Sequence, residues 1–145
     1  MAISAMRLRN WKREWKNKVT KSITKAKIIE ALKTEKLVRS DWFHQDSVDI
    51  KGKCDVCAVG AVLRKMSFEK WALRNGFSPR AVADQVTGDI VADRDEIGAY
   101  LAEGDYLSAL SCYFEDVSEN PKNLVKFVEK NFPDKLRINV DPRSL

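Results

Sequence analysis

Cys54-x2-Cys57, the lone His44 and the remote Cys112 have the side-chain types that hold zinc, since thiolate sulfur and imidazole nitrogen are its usual ligands. Their spacing argues against such a site. One C-x-x-C pair supplies half of a tetrahedral set, and His44 with Cys112 makes neither a compact nor a regular second half. Cys57 also falls in an apolar run, where a free thiol behaves as a small core residue. A thioredoxin-like redox role lacks a clear strand before the pair. Three cysteines is an odd number, and a chain of 145 residues can bury a core without crosslinks, so reduced thiols in a cytoplasmic protein are the simpler reading. Neither metal nor cofactor is expected.

Acid–base catalysis fares no better. His44 lies in a segment without a clear nucleophile partner, and Asp93, Asp95 and Glu96 stand where a helix begins. Carboxylates there complement the helix dipole without doing chemistry. No phosphate loop, Gly-rich dinucleotide turn or HExxH pattern occurs. The expectation is a protein that is not an enzyme.

Charge is the stronger signal. Residues 1–40 hold 12 Lys/Arg against 3 Asp/Glu, and residues 41–145 hold 14 against 18, so a segment of +9 precedes one of −4. Leu8, Trp11, Trp15 and Val19 recur at steps of three and four, the spacing of one helix face. Ile23 extends this stripe if the helix continues, although Thr20, Ser22 and Thr24 favour a break. Arg7, Arg9, Lys12, Arg13, Lys16 and Lys18 fall largely on the other faces, and Lys21 follows. Cations of this density neutralise phosphates, and indoles stack on unpaired bases or anchor protein contacts. The bland alternative is that the apolar stripe docks on the body and leaves a solvated basic face. These nine basic and aromatic residues (Arg7, Arg9, Trp11, Lys12, Arg13, Trp15, Lys16, Lys18 and Lys21) are the candidate binding site. The candidate partners are a host protein, a protein–nucleic-acid complex, or nucleic acid directly. A membrane is the weakest candidate: a basic helix can lie on anionic lipid, but no apolar run approaches the ~18 residues that span a bilayer, and no apolar h-region follows the first charges.

The rest of the chain must position this arm. Two segments are expected, a basic amphipathic arm over 1–23 and one helical domain over 24–145. Thr24 suits the N-cap of a helix whose face is Ile28, Ile29 and Leu32. Residues 36–50 read as irregular or extended, with a turn at Gly52-Lys53. Asp55 can cap a helix through residues 56–63, the most apolar stretch and the expected core. Gly60 within it suggests close approach by another element. Further helices are signalled by Ser67, Ser78-Pro79, Asp93 with Gly104, Asp105, and Asn120-Pro121. Leu136, Ile138 and Val140 alternate as in a half-buried strand that could pair with residues 36–43. The fold class is mainly α, a compact helical bundle with at most a small two-stranded β-ribbon.

Residues 68–86 carry a second functional candidate. Ala72, Gly76 and Val82 match the small-residue, turn and apolar-anchor spacing of a helix-turn-helix. The match is partial: Asn75 stands at an apolar position, and Arg80 and Gln85 are offset by Asp84 and Asp89. A reading helix presents several donors to base edges.

Two patches, residues 57–64 (CAVGAVLR) and 106–115 (YLSALSCYFE), resemble small uncharacterised accessory proteins of bacteriophages and mobile elements. The resemblance follows the element order over about residues 24–140 and leaves out the basic arm. It brings no catalytic residues with it. It implies an accessory phage protein in a bacterial cytoplasm, where small domains of this kind bind and block host complexes, as anti-CRISPR proteins do. The resulting expectation is a non-enzymatic inhibitor or modulator of a host nucleic-acid-handling complex. The alternative is a DNA- or RNA-binding protein using the arm or residues 68–86.

Overall fold

Residues 19–24 have the sequence VTKSIT, four of them β-branched, and such side chains favour extended backbone. They form strand β1 (Val19–Thr24), antiparallel to β4 (Lys135–Val140), in register from Val19 opposite Val140 to Thr24 opposite Lys135. The computed structural model describes residues 18–39, 43–48, 54–88 and 90–145. On the inner face of this ribbon Ile23, Leu136 and Val140 are buried and Val19 and Ile138 pack against the core. On the outer face Thr20 Oγ1 donates to Asn139 Oδ1 at 2.6 Å.

This corrects two expectations. The strand at 136–140 pairs with 19–24 and not with residues near 36–43. Val19 and Ile23 are strand residues, so the helical stripe does not reach them, and residues 19–23 belong to the ribbon. A step of four is ambiguous, because it returns to the same face of a helix and, being even, to the same face of a strand.

Among the described residues, seven α-helices form the body. They are α1 (Lys25–Thr34), α2 (Ala58–Lys65), α3 (Phe68–Arg74), α4 (Pro79–Thr87), α5 (Ile97–Ala102), α6 (Tyr106–Asp116) and α7 (Pro121–Asn131). A 3-10 turn at Arg94–Glu96 precedes α5 and another at Pro142–Ser144 follows β4. The protein is mainly α with small ribbons. A second short antiparallel pair joins β2 (Phe43–Val48) to β3 (Cys54–Val56), and Val56 also bridges Leu37.

Helix α2 is the centre of the core, with Ala58 through Leu63 all buried. It packs on α1, α3, α4 and α6, while α7 packs on α1 and α6. Buried Phe68, Phe114, Leu107, Leu110 and Leu124 close the surrounding space. Each fully buried Leu or Phe contributes roughly 1.5–3 kcal/mol by leaving water, so the body is held mainly by this apolar seam. The helix begins two residues later than Asp55 would place it. Cys57 is its N-cap, the sulfur accepting from the Gly60 amide at 3.3 Å, and Asp55 lies in β3.

Of the other start signals, Ser67 and Ser78 stand at N-cap positions without a side-chain cap bond. Thr24, Asp93, Asp105 and Asn120 each accept an amide of the following turn. Gly104 takes φ +77°, where a side chain would be strained.

Candidate functional site

The arm joins the body at β1, and Lys21 shows how. Alternation places Lys21 on the same face as Val19 and Ile23. Its ammonium donates to the carbonyls of Met66 at 3.0 Å and Ser67 at 3.3 Å, and lies 5.0 Å from the centre of the Phe68 ring. These carbonyls sit at the end of α2, where a cation also meets the negative end of the helix dipole. Burial, and next the charge of Arg74, hold the Lys21 pKa below its ordinary value. Lys21 is thus tied to the body, whereas Lys18 stands exposed just before the strand. Arg7, Arg9, Trp11, Lys12, Arg13, Trp15 and Lys16 lie outside the described residues.

The helix-turn-helix candidate folds as two short helices, α3 and α4, joined through Gly76 at φ +78°. Ala72 and Val82 are both buried, as the motif requires. The face of α4 is, however, committed to the body. Pro79, Val82, Ala83 and Thr87 are buried. Gln85 donates through Nε2 to the carbonyl of Asp141 at 2.9 Å and accepts the Asp141 amide on Oε1. Gln85, one of the two side chains expected to read base edges, thus ties α4 to the residue that follows β4.

Two of the zinc candidates, Cys57 and Cys112, stand on different helices. Cys57 caps α2, and Cys112 lies buried within α6 with its thiol pKa pushed up by burial. His44 and Cys54 fall in β2 and β3, for which only the strand pairing is described before Val56. No group of three or more metal-ligating side chains converges among the described residues. Asp93 caps the 3-10 turn, and the backbone amide of its neighbour Arg94 donates to Asp116 Oδ2 of α6 at 2.9 Å while the Arg94 guanidinium makes an ion pair with the same oxygen at 3.5 Å. Of the three carboxylates at this helix start, Asp93 is thus engaged in structure.

One feature carried no motif in the sequence. The periodicity of residues 121–131 points to the apolar face, and Leu124, Phe127 and Val128 are buried as expected. The opposite face presents Lys122, Lys126 and Lys130, all exposed. Tyr113 of α6 stacks on Phe127 beside this row, with ring centres 4.4 Å apart and planes at 18°.

No protein-family model, curated protein or solved structure matches the chain. No helix among the described residues is long and apolar enough to cross a membrane.

Proposed function

We propose that the protein is a non-catalytic binding protein that inhibits or modulates a nucleic-acid-handling complex of a bacterial host, in the manner of the anti-CRISPR class. The observation that carries this reading is the separation of charge, +9 over residues 1–40 against −4 over the remainder, together with the attachment of the arm. The strand that follows the arm is paired along its whole length with β4, and Lys21 fastens it to the end of α2. A contact segment rooted in a rigid body loses less entropy on binding than one on a free linker. Its cations favour fast encounter with an acidic target, and Trp11 and Trp15 supply anchors of the type that dominates interfaces.

Direct nucleic-acid binding by the arm is the second reading, favoured by the same cations and indoles. Residues 68–86 contribute less to it, because Gln85 is occupied by Asp141.

Affinity capture from bacterial lysate, with and without nuclease, tests the proposal. The expected result is a host protein complex retained after nuclease and lost when Trp11→Ala and Trp15→Ala are combined, with the far-ultraviolet circular dichroism unchanged. Capture that survives the double substitution overturns the arm mechanism. Capture that disappears with nuclease alone transfers the function to the second reading.

A further inference from the structure

Helix α7 carries lysine at positions 122, 126 and 130. Successive members of an i, i+4, i+8 series share a face and rise about 6 Å per step, so the row is about 12 Å long. All three side chains are exposed, and none has a carboxylate partner among the described residues. The acidic residues nearest in sequence on the α6 side are already paired. Arg94 holds Asp116 at 3.5 Å, and Arg39 holds Glu119 at 3.6 Å.

Two shallow hollows flank the row. One, of about 270 Å³, is lined by Tyr113, Asn123, Lys126, Phe127, Lys130 and Asn131. The other, of about 340 Å³, adds Lys33 of α1 and Lys122, with Glu129 as the sole carboxylate. Four lysines thus meet one acid over the two hollows. Tyr113 is half-buried, backed by Phe127 in a stacked pair. Asn123 donates its amide to Ser118 Oγ at 2.9 Å and Asn131 donates to the Phe127 carbonyl at 3.0 Å. Those bonds orient both amides and leave their oxygens as acceptors beside the ring.

We propose that this face of α7 binds single-stranded nucleic acid, with Lys122, Lys126 and Lys130 on successive phosphates and an unpaired base against Tyr113. A row of cations alone would suit any polyanion. An aromatic ring with oriented amides, set beside that row, is the arrangement that engages a splayed base, and it favours a single strand over duplex, acidic protein or lipid. The inference stands on the folded body and goes beyond the arm reading. Together they describe a protein that holds a host complex through the arm and the strand that complex carries through α7.

The test is fluorescence anisotropy of a labelled 12-nucleotide mixed-sequence single strand against the full chain, over a series of salt concentrations. Combining Lys122→Gln, Lys126→Gln and Lys130→Gln should weaken binding at least tenfold. It should also reduce the slope of log affinity against log salt by about 2, as three lost phosphate contacts require. Tyr113→Leu keeps an apolar side chain against Phe127 and should weaken binding about tenfold at an unchanged slope. Both effects should persist in the Trp11→Ala, Trp15→Ala background, which separates this face from the arm. Unchanged affinity in the triple variant overturns the proposal. So does equal affinity for a duplex of the same sequence, or a lysine-row effect seen only with phosphatidylserine vesicles.

Discussion

At the scale of single residues, one side chain of a type suited to chemistry has a structural role. Cys57 was a candidate zinc ligand by type, and its sulfur instead accepts the Gly60 amide at the start of α2. Removing that acceptor orphans a buried donor at the most apolar helix of the body. Cys57→Ala should therefore lower unfolding stability by about 1–2 kcal/mol, read as a lower urea midpoint at constant m-value. Cys57→Ser should recover part of the loss, since a hydroxyl also accepts the amide. Equal stability of all three proteins would show that the cap contributes nothing. The cap was legible in part: the sequence places a helix start at residue 56, two residues early, because Asp55 outranks Cys57 on local preference. Only the strand pairing of residues 54–56 moves the start past Asp55.

At the scale of elements, the local signals served well and the long-range ones did not. Thr24, Asp105 and Asn120 act on amides two or three residues away, so sequence alone reveals them. The β1–β4 ribbon joins residues more than one hundred positions apart, and the step of four between Val19 and Ile23 fits helix and strand equally. Another long-range feature is Arg64. Its guanidinium forks onto both carboxylate oxygens of Glu69, at 2.7 and 2.8 Å, and reaches Glu35 at 3.1 Å. It joins α2 to α3 and to the C-cap of α1. Arg64 and Glu35 are each only 12% exposed, so truncation leaves carboxylates poorly hydrated and unpaired by this cation. Arg64→Ala should cost about 3 kcal/mol, measured by denaturant unfolding. Combining Arg64→Met with Glu35→Gln and Glu69→Gln should cost less than Arg64→Ala alone, because no charge is then stranded. A loss under 1 kcal/mol in Arg64→Ala would mean that the three helices do not depend on this network.

At the scale of the whole molecule, acid should act twice, through particular pairs and through net charge. The Glu30 pKa is lowered by its bond from Lys65, which ties α1 to α2, and the Asp141 pKa is lowered by its bonds from Arg143. A carboxyl group whose folded pKa lies below its unfolded value binds fewer protons in the folded state. Its contribution is complete above the unfolded values, 4.5 for Glu and 3.8 for Asp, and is lost as pH falls through the folded ones. Over the same range the −4 segment loses its carboxylate charge while the +9 segment keeps its cations, so self-repulsion grows. Thermal unfolding should therefore be nearly pH-independent from 7 down to about 5 and fall steeply below about 4. The two causes separate with salt. Repulsion between exposed cations is screened within about 10 Å at 0.1 M salt, so added chloride should restore the part of Tm lost to net charge. Glu30→Gln with Asp141→Asn should flatten the remaining acid limb by removing the groups that titrate there. If the double variant kept the full acid dependence at high salt, neither pair would govern the acid response. That response would then have to come from carboxylates elsewhere in the chain.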